Sequence, residues 1–190
     1  MIQVRLHGRG GQGVVTAAEL IAIAAFKDQK FSQAFPSFGV ERTGAPIEAF
    51  SRIDNKFIRT REQVYDPNIL VVLDPSLLES AQISTGCDKK TKIVINSRKS
   101  KKEIAISFRK NQKLSIPEKN IFVLDATSIA LKILGKNLAN TVILGALAKA
   151  TKIISFAGLK QAIKEKFEEK SSDMINKNLE AIKQAYEEKY

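Results

Sequence analysis

The chain has 190 residues, 44% of them hydrophobic and 27% charged, with a net charge of +11. That size fits one domain, here taken as residues 1–190, and the composition excludes a disordered chain. No apolar stretch approaches the ~20 residues of a membrane span, and the first residues lack the basic-then-apolar order of a signal segment, so the expected compartment is the cytoplasm.

The opening stretch alternates apolar and polar residues from Ile2 to His7, which predicts a strand. Gly8-Arg9-Gly10-Gly11-Gln12-Gly13 breaks that pattern, and Val14, Ala18, Ile21 and Ala25 then recur at helical spacing. The chain therefore starts with a Rossmann-like strand, glycine turn and helix. Short extended pieces follow at Phe31–Phe35 and Ile47–Ile53, the second turned by Asp54-Asn55-Lys56 into Phe57–Thr60 as a hairpin. Ile69–Leu73 is continuously apolar and stops at Asp74-Pro75, as expected of a strand buried on both faces of a parallel sheet.

Charge concentrates next. Residues 1–85 hold nine basic and nine acidic side chains, residues 86–120 eleven and three, and residues 121–190 eleven and eight. The 86–120 stretch carries one aromatic, Phe108, so interleaved stacking residues for single-stranded nucleic acid are missing. It reads as a solvated or partner-facing surface, with a polyanion-binding module as the alternative and nucleic acid unlikely. Within and after it, Lys92–Asn96 and Ile121–Leu124 repeat the buried-strand pattern. From about residue 127 to 190 every segment has helical period, which predicts three or four helices: Val142–Ala150 capped by Asn140 or Thr141, one capped by Ser155, and one from Asp173 striped by Ile175, Leu179, Ile182 and Tyr186. The fold class expected is α/β, an open and mostly parallel sheet with a helical C-terminal third.

The candidate chemistry is sparse. Arg9, Gly10, Gly11, Gln12 and Gly13 match a dinucleotide fingerprint in the right context, between strand and helix, where backbone N–H groups can hold an anion. The acidic residue such a site needs at the end of the second strand is missing, since that region reads Ser32-Gln33-Ala34-Phe35-Pro36-Ser37. A nucleotide-dependent oxidoreductase, another phosphate-bearing ligand and a purely structural turn all stay open. One histidine, His7, suits strand-end packing; the one cysteine, Cys87, excludes a disulfide or an iron–sulfur cluster held by this chain alone and reads as an incidental thiol unless nearby lysines activate it. Asp74 and Asp125 end apolar strands, as ligand-edge residues or as caps. Between Gln33 and Pro46, prolines and glycines punctuate Phe35, Pro36, Phe38, Glu41 and Arg42, a shaped loop that reads as a partner or substrate surface.

The glycine motif, Gln33–Gly39, Glu41–Pro46, Val71–Leu78, Asp125-Ala126-Thr127, Asn140-Thr141 with Leu144-Gly145-Ala146, and Asn178–Ala181 together resemble the gamma subunit of pyruvate (or 2-oxoisovalerate):ferredoxin oxidoreductase over nearly the whole chain. The resemblance implies a hetero-oligomer that uses thiamine diphosphate to decarboxylate a 2-oxoacid, passes electrons through iron–sulfur clusters to ferredoxin and forms an acyl-CoA. The diphosphate and clusters would belong to alpha, beta and delta-type partner subunits. This chain would bind no cofactor with certainty, would carry no catalytic or metal-ligating residue, and would scaffold and help hold coenzyme A, with the glycine turn favoured over the lysines.

Overall fold

Alternation along the first strand sorts its side chains onto two faces, and everything else packs by that choice. In a computed structural model describing residues 1–37 and 44–190, β1 (Ile2–Arg9) buries Val4 and Leu6 on one face and turns Arg5 and His7 to the other. It is joined by β2 (Phe31–Pro36), β3 (Pro46–Asp54), β4 (Ile69–Val72), β5 (Lys92–Asn96) and β6 (Ile121–Leu124) in a sheet ordered β2-β3-β1-β4-β5-β6. Among the described residues β3 alone runs against the other strands: it is antiparallel to β1 and β2, while β1, β4, β5 and β6 pair in parallel.

Among the described residues, one face carries five helices. After β1, α1 (Val14–Lys27) presents Ala17, Ala18, Ile21 and Ala25 to the sheet. Four more helices make up the C-terminal third: α4 (Ala126–Leu134), α5 (Ala139–Thr151), α6 (Phe156–Lys166) and α7 (Ser172–Glu187). Small residues let them approach closely. Gly145 of α5 faces α7, where a Cβ would strike the Ile182 carbonyl and lie 2.9 Å from the Ala185 Cβ. Ser155 caps α6 as the sequence predicts, accepting from the Gly158 N–H, and its own N–H and hydroxyl reach Asp28 at the end of α1. The opposite face is covered over β4, β5 and β6 by α2 (Leu77–Ser80) and α3 (Lys101–Asn111), through Leu77, Leu78, Ile104 and Phe108.

Three expectations need correction. The Ile47–Ile53 strand does not turn into a hairpin with Phe57–Thr60, because both its edges are already taken, Ile53 being opposite Ile2 on one side and Ser32 on the other. Helix α5 starts at Ala139, two or three residues earlier than an Asn140 or Thr141 cap would allow, and Leu138 precedes it with no side-chain cap bond. Inside the basic stretch lies α3, an unpredicted helix begun by a capping box in which Ser100 and Glu103 each accept from the other's backbone N–H. The strands Lys92–Asn96 and Ile121–Leu124 stand as predicted.

A Gly145→Val chain should lose roughly 1–3 kcal/mol of stability by overpacking the α5–α7 contact, read as a lower midpoint in denaturant or heat. A wild-type midpoint would mean the two helices do not meet at this residue.

Candidate functional site

In an open α/β sheet, ligands collect outside the carboxyl ends of parallel strands where crossovers leave in opposite directions. Here that point lies between β1 and β4, since the chain leaves β1 toward β2 on one side and leaves β4 toward β5 on the other. The glycine turn fills its upper rim. Gly13 sits at the N-terminus of α1 in left-handed conformation (φ 71°), and a Cβ there would collide with the Asn140 side chain, which donates to the Gly13 carbonyl at 3.2 Å.

The turn's polar groups are largely committed within the chain. The Gly10 N–H donates to the Ala45 carbonyl and the Gly44 N–H to the Gly10 carbonyl, which extends the β1–β3 ladder past the strand ends. Gln12 closes the turn on itself: its N–H donates to the Arg9 carbonyl, its Oε1 accepts from the Arg9 N–H and its Nε2 donates to Asp74. The Arg9 guanidinium reaches Asp74 at 3.2 Å, the hydroxyls of Ser76 and Ser80, and the Gly44 carbonyl. Asp74 is an edge residue that closes the turn before α2, whose N-cap is Ser76, accepting from the Ser76 N–H and hydroxyl with one oxygen and from Arg9 and Gln12 with the other. Burial works against its ionisation, but the hydrogen bonds from Ser76 and Gln12 and the charge of Arg9 together outweigh that and hold its pKa below the usual carboxylate value. Asp125 is mainly a cap: it accepts from the Ser128 N–H at the start of α4 and pairs with Arg98.

Below this rim is a cleft of about 190 Å³, walled by Gln12, Asp74, Asn96, Thr127, Asn137 and Asn140. Asn96 is buried at the end of β5 and donates to both the Leu73 carbonyl and the Thr127 hydroxyl. Its partners fix the amide, so the polar part of the cleft consists of oriented amides, one hydroxyl and one carboxylate, beside the apolar Leu73, Pro75 and Ala139. Such a lining suits neutral hydrogen-bonding groups better than a bare phosphate.

The other face of β1 and β3 holds a second polar group. Arg5, His7 and Arg52 are all more than nine-tenths buried there. Arg52 donates to the Glu62 and Gln63 carbonyls and to Gln3, and Arg5 to the carbonyls of Val64, Tyr65, Ile83 and Thr85. Phe35 lies against Phe50 with ring centroids 5.2 Å apart and beneath the Arg52 guanidinium, so it is engaged by its own sheet, and Pro36 ends β2. Phe38, Glu41 and Arg42 fall outside the described residues. Burial, aided by the charge of Arg5, pushes the His7 pKa down to about 3, so its 3.8 Å approach to Glu48 is not an ion pair at neutral pH and is too long for a hydrogen bond. Cys87 is pushed up to about 11, chiefly by burial, which outweighs the influence of Arg5, 3.8 Å from its sulfur. That shift favours the protonated thiol over the thiolate at neutral pH. No helix among the described residues is long and apolar enough to cross a membrane.

Sequence reasoning named the glycine turn and Asp74 as ligand-edge candidates, and Asn140 only as a helix cap. It missed Asn96, Thr127 and Asn137, whose signal is faint: an asparagine closing an apolar strand, a threonine in the first turn of α4 and an asparagine just before α5. The dinucleotide alternative loses its frame, because β3 is inserted between β1 and β2 and the strand after α1 ends two strands away from the glycine turn.

His7 supplies a test. Its folded pKa lies below the unfolded value of about 6.5, so the unfolded chain binds the extra proton across the interval between them, and stability falls as pH drops from about 6.5 toward 3. A His7→Gln chain should show a shallower loss over that window, by as much as a few kcal/mol in the denaturant midpoint series. Parallel curves for the two chains would place His7 in contact with solvent.

Comparison with known proteins gives a consistent picture. The family model described as pyruvate ferredoxin/flavodoxin oxidoreductase matches residues 3–188. The common subunit gamma of the pyruvate/ketoisovalerate oxidoreductases of Pyrococcus furiosus is 49% identical over 187 residues, covering 98% of this chain and 96% of that protein. Pyruvate synthase subunit PorC of Methanothermobacter thermautotrophicus is 45% identical over 188 residues, covering 99% and 96%. The crystal structure of the pyruvate oxidoreductase subunit PORC of Thermotoga maritima superposes with a TM-score of 0.83 at 34% identity, covering 98% and 96%.

Proposed function

This chain belongs to the pyruvate ferredoxin/flavodoxin oxidoreductase family, and from that premise we propose that it is the gamma subunit of a cytoplasmic complex converting a 2-oxoacid, pyruvate foremost, to acyl-CoA, carbon dioxide and reduced ferredoxin. The observation that carries the reading is the end-to-end likeness to gamma subunits, at 49% identity for the Pyrococcus furiosus protein. Partner subunits of alpha, beta and delta type hold thiamine diphosphate, which supplies the carbanion-stabilising chemistry of decarboxylation, and the iron–sulfur clusters that carry electrons to ferredoxin. The chain's own residues support a non-catalytic share of the work. Its cysteine is half-buried, with its pKa pushed up to about 11, and its histidine is a buried imidazole on the sheet face opposite the five-helix layer, with its pKa pushed down to about 3.

What this chain offers the reaction is a place for coenzyme A. The turn from Arg9 to Gly13 and the cleft beneath it supply side-chain amides from Gln12, Asn96, Asn137 and Asn140, a match for the amide-bearing arm or the base of that substrate. Arg9 is occupied by Asp74, so the phosphates draw instead on the first N–H groups of α1 and on the diffuse positive field of the lysine-rich stretch.

The purified chain, given pyruvate, coenzyme A and thiamine diphosphate, should reduce no acceptor, and adding it to the other subunits should restore activity. In the assembled enzyme, Asn137→Asp should raise the KM for coenzyme A about tenfold, equivalent to ~1.4 kcal/mol, and leave coenzyme A-independent decarboxylation unchanged. Lys101→Glu with Lys102→Glu should act mainly at low salt. Acceptor reduction by the chain alone would defeat the gamma-subunit reading, and an unaltered KM in Asn137→Asp would remove the cleft as the coenzyme A site.

A further inference from the structure

The sheet has an undefended edge. β2 is its outermost strand and contains no charged residue, reading Phe-Ser-Gln-Ala-Phe-Pro. Proteins usually blunt such an edge with lysine, a bulge or a covering element, or keep it short, as at the opposite edge, where β6 has four residues. The phase of the ladder shows which groups β2 presents outward. The Ser37 N–H donates to the Glu48 carbonyl at 3.0 Å, and Pro36 stands opposite Ala49, so by antiparallel alternation Phe31, Gln33 and Phe35 bond β3 while Ser32, Ala34 and Pro36 point their backbone away from it. Pro36, which has no N–H, falls on an outward position, where the sheet needs none. Among the described residues, no backbone hydrogen bond from outside the sheet engages Ser32 or Ala34.

Beside this edge runs a groove of about 350 Å³, with β2 on one side and Phe57, Ile58, Arg59 and Arg61 on the other. Two aromatics form its apolar notch: Phe31 and Phe57 are 47% and 71% exposed and meet edge to face, with centroids 6.0 Å apart. Arg59 and Arg61 are exposed, and neither forms an ion pair among the described residues. The nearest acid on β3, Asp54, is held by the N-terminal ammonium at 3.1 Å.

We propose that the outer edge of β2 receives an extended segment of another subunit of the complex, which adds a seventh strand to the sheet, sets an apolar side chain against Phe31 and Phe57, and pairs an acidic side chain with Arg59 and Arg61. Backbone bonds to Ser32 and Ala34 supply affinity, and the notch and the arginines supply selection. Charge decides the occupant. A second copy of this chain would bring another +11 and the same two arginines, whereas an acidic segment neutralises them. The inference rests on the reading of this chain as one subunit of a hetero-oligomer.

The test uses the full chain coexpressed with the subunits of its complex. Ala34→Pro deletes an N–H that β3 does not use, and Arg59→Glu with Arg61→Glu reverses the charge without touching the core. Each should leave the melting temperature of the isolated chain nearly unchanged and reduce recovery of the complex at least tenfold. In the wild-type complex, amide exchange at Ser32 and Ala34 should slow at least tenfold relative to the free chain. If Ala34→Pro does not fold, the charge-reversed chain and the exchange measurement decide. Full recovery of the complex with charge-reversed chain, or unprotected Ser32 and Ala34 amides in an assembled wild-type complex, would overturn the proposal while leaving the gamma-subunit reading intact. An isolated chain that sediments as a dimer and becomes a monomer on Ala34→Pro would name a second copy as the occupant and overturn it too. A wild-type chain that joins no such subunits would defeat both.

Discussion

Two buried guanidinium groups hold together the half of the molecule that helices do not cover. Arg5 and Arg52 lie side by side in the strand order, on β1 and β3, and among the described residues neither pairs with a carboxylate; they donate to backbone carbonyls of residues 62–65, 83 and 85, and Arg52 also to the Gln3 side chain. Those carbonyls belong to segments without helix or strand, which have no ladder of their own in which to spend them. Each arginine thus resolves two desolvation problems at once, its own and that of the chain folded over it. The fit is incomplete. Among the described residues, Arg5 Nε, Arg52 Nη1, His7 Nε2 and Gln33 Oε1 have no partner and all four sit on this one face, while Asn178 Oδ1 and Tyr190 Oη lack one on the helical side. At roughly 1–3 kcal/mol for each unsatisfied polar atom, the loop-covered half of the sheet carries the larger share of this local cost among the described residues.

That division explains where the candidate cleft and the edge groove stand. On the helical side, close contacts such as Gly145 against Ile182 make a rigid block that anchors the first turn of α5, and through Asn140 the glycine turn. On the loop-covered side, Phe57 to Arg61 pass alongside β2 without pairing with it, which leaves a groove where a helix would have left none. Arg9, Gln12 and Asp74 join the two halves at the carboxyl edge, so the cleft is framed by β1 and β4 together and does not depend on either crossover alone.

Much of this was legible in the residues. Unbroken apolar runs marked β4, β5 and β6 because a strand buried on both faces has no polar side to alternate with, and Ser155 announced α6 because a cap works through its nearest neighbours. Where partners are distant, the sequence was silent or misleading. The alternation Gln3, Arg5, His7 has the form of a solvent-facing side; nothing local says that residues 55–66 return to bury it. The proposed hairpin at Asp54 obeyed good turn chemistry and lost to β2, which reaches the same edge of β3 through a crossover. Helix α3 hid in the charge count because two apolar residues, Ile104 and Phe108, are all that a helix on the sheet's narrow flank has to bury. The cleft followed the same rule: Asp74 was visible as a strand end, whereas Asn96, Thr127 and Asn137 acquire meaning by converging from three elements.

The composition of that cleft has a consequence for how its occupancy responds to its surroundings. Amides and a hydroxyl do not ionise, and the one carboxylate among them is held charged by Ser76, Gln12 and Arg9. Between about pH 5 and 9 the wall therefore keeps a constant charge and a constant donor–acceptor pattern. Any acid–base dependence of binding at this candidate site must therefore enter through the guest, because the wall that meets it does not titrate in that range.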